Sequence, residues 1–420
     1  MLVNTKVSAI IGLMAATLVG HSAAAQVCST PLSASVRGKV KFQPGHYVAI
    51  GSGSTVATRF THTLAEISSP ALNGKVAGIQ KRYYWSDLNG PGAYQWHFEK
   101  LQNDIAEAAL AGKKLSVMIM FKFSNDSDES PVPAYIQNLP AYSSSTLALQ
   151  PAYALNADGE FAHGQITNFG HPTVRQHFVR FLTKLAAVVD NNNTVSSVVF
   201  PESAMGIKAG KAPYASMTSV QFAALRNSHI DGLLEVGKQA SCVFKHTPFI
   251  QLTNYPVVKL PTLTYAYKTY SIGMGGPDIW LADGGIQPSY SYFPLLAPQV
   301  PIGLIAAGGN YKYVSHEAET VPLAERAAYT FEGYFGLPSA AVPEDAIPAF
   351  TVRKLALKAM DLQVNFLFWK KNGDNGDKYY QAFKAEIAKM GTPAQTIAPT
   401  IGTCPSNYTT SGTGCVQALP

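Results

Sequence analysis

Three carboxylates stand just beyond runs that read as strands or tight turns. Val198-Val199-Phe200-Pro201 leads into Glu202, Gly273-Met274-Gly275-Gly276-Pro277 leads into Asp278, and Glu317 lies within Tyr313-Val314-Ser315-His316-Glu317-Ala318-Glu319. A buried strand that stops at a carboxyl group delivers it to a polar cleft, where it can pass a proton to or from a bound molecule. Apolar neighbours around Glu202 would favour its protonated form. The glycines before Asp278 let the backbone approach a ligand, and Pro277 stiffens the turn. Each carboxylate also has an ordinary use: Glu202 as a cap or solvated acid, Asp278 as a turn residue, and Glu317, like Glu319 and Asp283, as a solvated loop acid.

Other chemistries find no footing. His97, His163, His171, His177 and His316 are scattered, with no HExxH pair and no GxSxG elbow, so neither a metalloprotease nor an acyl hydrolase is indicated. The spacing of the four cysteines matches no zinc motif, and Asp374, Asn375 and Asp377 fail the calcium-loop pattern. No metal and no cofactor is implied.

Positioning such groups requires a scaffold, and from Tyr47 onward short β-rich runs alternate with longer helical patterns. Eight runs read as strands: 47–50, 76–84, 115–121, 195–200, 249–252, 270–274, 302–306 and 364–368. Several are almost continuously apolar, as strands covered on both faces must be. Apolar residues recur at helical spacing over 101–111, 174–189, 219–238 and 352–361, and a closing helix follows over 378–390. This alternation predicts an α/β fold, a (β/α)₈ TIM barrel. A doubly wound open sheet is the alternative, weakened because no GxGxxG or phosphate loop follows a strand. The polar, proline-broken stretch 123–172 reads as an elaborate loop after the third strand.

Three stretches carry a resemblance. Gly78-Ile79-Gln80-Lys81-Arg82-Tyr83-Tyr84-Trp85 with Asn89-Gly90-Pro91-Gly92-Ala93-Tyr94, then Val198-Val199-Phe200-Pro201-Glu202, then Asn365-Phe366-Leu367-Phe368-Trp369, together resemble barrel glycoside hydrolases of the cellulase and beta-galactosidase superfamily. The resemblance implies a carbohydrate substrate, with Glu202 at the general acid/base position. Cleaving a glycosidic bond also takes a second carboxylate, and Asp278 or Glu317 is the candidate. Tyr84, Trp85, Tyr255, Trp280, Tyr311 and Trp369 would offer aromatic faces to sugar rings, and Arg82, Lys122, Asn254 and Asn310 hydrogen bonds to hydroxyls. One departure stands out. Where that superfamily places a nucleophilic Glu after its seventh strand, this chain reads Ile305-Ala306-Ala307-Gly308-Gly309-Asn310-Tyr311. Either the partner acid comes from elsewhere, or the strand register differs, or the chain is a noncatalytic carbohydrate-binding barrel.

The ends carry their own signals. Residues 1–25, with Lys6, an apolar core and Ala23-Ala24-Ala25, read as a secretory signal, which predicts a secreted or periplasmic protein. A lipoprotein reading through Cys28 is the alternative. The barrel would occupy 26–395 and a polar tail 396–420, with Cys404 and Cys415 paired in a disulfide and Cys28 left for Cys242. Asn125, Asn192 and Asn407 are glycosylation acceptors in a host that glycosylates. Hydrophobic residues at 47% against 14% charged ones supply ample core. A net charge of +6 without a basic run argues against a nucleic-acid partner, and no later segment is long enough to hold a membrane. The oligomeric state is not legible.

Overall fold

In the computed structural model the described residues are 31, 40–51, 56–123, 130–139, 150–155, 164–279, 287–311, 347–373, 376–390, 397–398, 408–411 and 414–417. Eight parallel strands close into a barrel in chain order: β1 (Gly45–Ile50), β2 (Val76–Tyr84), β3 (Lys114–Met120), β4 (Val195–Phe200), β5 (Phe249–Leu252), β6 (Gly273–Gly276), β7 (Ile302–Ala306) and β8 (Phe366–Lys370). Outside lie α1 (Val56–Ile67), α2 (Glu99–Leu110), α3 (Pro172–Val189), α4 (Ser219–Val243), α5 (Leu260–Tyr270), α6 (Ile347–Asp361) and α7 (Lys378–Met390). Between β6 and β7 the described helices are the short Gln287–Tyr290 and Phe293–Leu296. Among the described residues no helix is long and apolar enough to cross a membrane.

Two apolar layers follow from the alternation of side chains along each strand. Tyr47, Met118, Val199, Ile250, Ile305, Phe366 and Phe368 fill the barrel interior. Their neighbours Val48, Val117, Val198, Leu304, Leu367 and Trp369 face outward and pack with the helices in a second, larger cluster. The helices begin on local signals: Thr218 and Gln221 form a capping box before α4, and the His171 side chain accepts from the Thr173 backbone N–H before α3.

The expected strands are found, and the differences have physical causes. The sixth was expected over 270–274, whereas α5 runs to Tyr270, Ser271 caps it in the left-handed conformation at φ 55°, and β6 starts at Gly273. Glycines ordinarily weaken a strand, yet here close approach demands them. A Cβ on Gly275 would fall 2.3 Å from the Gly303 carbonyl oxygen. The eighth strand starts two residues later than expected and reaches Lys370.

The stretch after β3 carries structure of its own. Lys122–Phe123, Ala152–Ala154 and Gln165–Thr167 form a small antiparallel sheet, with Gln165–Thr167 in the middle, so the backbone of Lys122 is fixed against Ile166. In the tail, Tyr408–Ser411 pairs with Gly414–Gln417, and Ile397–Ala398 lies on the other side. Cys242 is disulfide-bonded. Cys28 and Cys404, like the signal segment, lie outside the described residues.

Between β2 and α2 one buried ion pair ties strand to helix. The Lys81 ammonium sits 2.6 Å from Asp104 Oδ2, the Tyr83 hydroxyl donates to the same oxygen at 2.6 Å, and the two charged side chains are 1% and 9% exposed. Burial pulls the Lys81 pKa down, and Asp104 opposes it. Removing one partner of such a pair strands the other charge, which costs about 3–5 kcal/mol, whereas replacing both with apolar groups costs far less. Asp104→Ala is therefore expected to lower unfolding free energy by about 3 kcal/mol in urea titration, and the double variant Lys81→Met, Asp104→Leu to regain most of it. Equal losses in the two variants would show that the pair is not what holds this seam.

Candidate active site

The C-terminal ends of β3, β4 and β5 meet around Glu202, whose side chain is 30% exposed. Lys122 Nζ, two residues past the end of β3, donates to Glu202 Oε1 at 2.7 Å and to the Ala204 carbonyl at 3.2 Å. Asn254 Nδ2, two residues past β5, donates to Glu202 Oε2 at 3.0 Å. Both carboxylate oxygens are thus engaged, by a cation and by an amide. Where apolar neighbours were expected, inward alternation past the strand ends puts Lys122 and Asn254 against the Glu202 carboxylate.

The supports around these three are themselves fixed. Asn254 Oδ1 accepts from the backbone N–H of Ala204 and of Tyr255, while Ser203 Oγ donates to the Tyr255 carbonyl at 2.6 Å and accepts from the Asn254 N–H. Gln251 Nε2 holds the Pro201 carbonyl at 2.7 Å. Fully buried on α4, His229 is pushed down to about 3, first by burial and then by the charge of Lys122, and so stays neutral. A carboxylate held by so many connected bonds has a defined direction, which is what proton transfer or charge stabilisation at a reacting centre requires.

Across the mouth, the ends of β8, β1 and β2 carry cations. Ala49 pairs with Lys370 on one side and with Gln80 on the other, so that Lys370 and Arg82 flank the end of β1. There Gly51 leaves room. Lys370 Nζ and Arg59 Nη1, from α1, lie 3.5 and 3.8 Å from the point where a Gly51 side chain would begin. Burial pushes the Lys370 ammonium down to about 7, with Arg82 and then Arg59 adding to the effect. Arg82 is lowered by burial, against which the charges of Tyr84 and Glu202 act, so Glu202 is felt across the cleft. Among the described residues neither the Arg82 guanidinium nor the Lys370 ammonium has a hydrogen-bond or ion-pair partner.

Of the residues singled out in the sequence, Glu202, Lys122 and Asn254 are in contact, and Arg82 faces them. Tyr84 lies at the same end, its ring stacked on Phe123 at 3.8 Å, and Tyr255 stands exposed beyond β5. Asp278 is half-buried two residues past β6, with its carbonyl accepting from the Tyr290 hydroxyl. Trp280 and Glu317 lie outside the described residues.

Four expected sugar contacts prove to be packing residues. Trp85 is fully buried edge-on against Phe178 of α3, and Trp369 is fully buried on the outer face of β8, against Phe383 of α7, with Nε1 donating to His46. Tyr311 is buried and stacked on Tyr379. Asn310 Oδ1 accepts from the backbone N–H of Ile279 and Ala307, stitching the β6 loop to the end of β7. Trp85 and Trp369 stand at strand ends, but a residue one place off the inward alternation faces the helices instead. Conversely, Lys370 and Arg59 were missed. The signal for Lys370 was present, since Phe366, Phe368 and Lys370 share the inward face once β8 is extended by two residues.

No protein-family model matches the chain, and no curated protein is similar to it in sequence. Solved structures align with it in fold. The catalytic domain of beta-amylase from Paenibacillus polymyxa aligns over 84% of this chain and 100% of its own length, with 10% identity and a TM-score of 0.51. A beta-galactosidase from the psychrophilic Marinomonas ef1 aligns over 82% and 59% with 9% identity and a TM-score of 0.44. A mutant of a xylanase, Xyn10A, from Cellvibrio japonicus aligns over 85% and 99% with 11% identity and a TM-score of 0.42. The expected closed parallel barrel is thus shared with the beta-amylase domain, as a likeness of fold.

The cationic side of the mouth stores a measurable cost. Lys370 falls from 10.5 in the unfolded chain to about 7 in the folded one. Below pH 7 the native state must hold a buried ammonium, and as pH rises from 7 to 10.5 the native state has released a proton that the unfolded chain still binds, so the penalty fades. Lys370→Met is therefore expected to be more stable than the wild type at pH 6, by at least about 1 kcal/mol, with the gap closing toward pH 10. Urea titrations of both proteins across that range check this, and a gap independent of pH would contradict it.

Proposed function

We propose that this protein is an exported hydrolase of oligosaccharides or polysaccharides, with Glu202 as its general acid/base. The observation that carries the reading is the Lys122–Glu202–Asn254 cluster at the C-terminal mouth of a closed parallel barrel, the end at which barrel enzymes place their chemistry. In this reading Glu202 protonates the departing glycosidic oxygen and, where the second carboxylate has formed a bond to the sugar, takes a proton from the water that then breaks it. Lys122 and Asn254 hold its carboxylate in place, and Arg82 and Tyr84 line the approach. Asp278 or Glu317 serves as the second carboxylate, attacking the sugar or activating water. Export through residues 1–25 and closure of the tail by Cys404 and Cys415 belong to the same proposal.

A second reading, a noncatalytic carbohydrate-binding barrel, is favoured by one specific observation. The end of β7 offers only Ala306 and Ala307, and the first polar side chain after them, Asn310, is an amide that is fully buried with its oxygen accepting two backbone hydrogen bonds.

Release of reducing ends from a panel of polysaccharides and oligosaccharides separates the two. Wild-type activity is expected, reduced about 100-fold or more in Glu202→Gln, as loss of a general acid/base entails, with Asp278→Asn and Glu317→Gln then identifying the partner. Saturable glycan binding without any release would move the assignment to the binding barrel. Full activity in Glu202→Gln would remove Glu202 from the chemistry.

A further inference from the structure

The mouth is lopsided in charge. Arg59, Arg82, Lys370 and Lys122 come from α1 and from the ends of β2, β8 and β3, and Lys122 is neutralised there by Glu202. Arg82 and Lys370 are half-buried and have no hydrogen-bond or ion-pair partner among the described residues. Cations that stand unpartnered yet partly withdrawn from water cost stability, and a fold keeps them where something bound returns the missing charge. Hydroxyl groups of a neutral sugar do not need two bare cations. An anionic group does, and Arg82 offers it a planar fork of donors while Lys370 adds a point charge.

Resting on the carbohydrate reading above, we infer that the site takes a sugar bearing an anionic group, a carboxylate or a sulfate ester, seated between Arg82 and Lys370 over Gly51. Arg59 closes the far side of this seat. Gly51 is what opens it, because a side chain there would begin within 4 Å of both Lys370 Nζ and Arg59 Nη1. Glu202, across the mouth, keeps the anion away from its own edge by like-charge repulsion and so orients the sugar, with the charged substituent toward β8 and β1 and the rest toward Glu202.

The test measures binding by calorimetry on the whole protein near pH 6, where Lys370 carries its charge. Four probes are used: a hexameric oligogalacturonate, its methyl ester, a sulfated neutral oligosaccharide and the unsulfated parent. At least one anionic probe is expected to bind about 10-fold or more tightly than its uncharged counterpart, with the preference shrinking as salt rises from about 50 to about 500 mM. The preference is expected to vanish in Lys370→Met and in Arg82→Met and to survive in Lys370→Arg. Preference for the uronate alone assigns a carboxylate, for the sulfated probe alone a sulfate ester, and for both a seat that reads charge. Equal binding of charged and uncharged probes overturns the inference, as does a preference that outlasts both methionine variants. Should a variant fail to fold, the salt dependence of the wild type still decides. Anionic binding with no release of reducing ends leaves the inference standing and removes only the hydrolase reading. Binding of no glycan at all overturns both.

Discussion

Closure of the sheet is the constraint on which everything else rests. Gly45 to Ala49 of β1 pair with Phe366 to Lys370 of β8, and β1 pairs with β2 on its other side. Without that seam the sheet would have two open edges, and the inward side chains Tyr47, Phe366 and Phe368 would have no interior to fill. The same register brings the last inward residue of β8, Lys370, level with the end of β1 and beside Arg82 of β2. A slip of one residue would exchange the inner and outer faces of β8, burying Trp369 in the barrel and turning Lys370 toward the helices. The packing of the core and the placement of the site are therefore one decision made twice.

The two sides of the mouth differ in how their charges are handled. On the side of β3, β4 and β5, both carboxylate oxygens of Glu202 have a partner: Lys122 and Asn254 hold them, and Ser203 and Gln251 hold the backbone beneath. That half is a connected network, of the kind that keeps one geometry. On the side of β8, β1 and β2, Arg82 and Lys370 are brought together by strand register alone. Burial and mutual repulsion then act on Lys370 with no counter-charge, which drives its ammonium to about 7. One half positions, and the other half waits for charge.

The scaffold was readable in the sequence because buried parallel strands are long apolar runs and the helices between them keep their own period. It was obscured where tertiary contact reversed a local preference. Gly273, Gly275 and Gly276 look like turn residues, yet β6 is built from them because Ile250 and Pro301 crowd the first, Gly303 and Leu252 the second and Leu304 the third. The site was half legible. Glu202, Lys122, Asn254 and Arg82 follow from strand ends and residue type. The aromatic residues misled, since Trp85 and Trp369 sit at strand ends yet on the outer face, and type and proximity do not reveal facing. Only the parity of the strand does, and for β8 that parity reaches Lys370 only when the strand runs two residues beyond Phe368.

Parity also explains how a chain with 10% identity to the beta-amylase domain can share its barrel. Outward positions need only be apolar and fit the helices, and even a charge is tolerated there when it is sealed, as Lys81 is by Asp104 and the Tyr83 hydroxyl. Inward positions within the barrel need only fill it. Neither layer demands particular residues, so both can drift while the fold persists. The rim is different, because there a side chain has water and ligand on one side and the packed interior on the other. Unpartnered cations at the rim subtract from stability, and the sealed pairs and apolar layers behind them must more than offset that cost. A structure in which Lys81 is neutralised within the wall, while Lys370 and Arg82 are left bare at the mouth, has put its costly charges where a ligand can reach them.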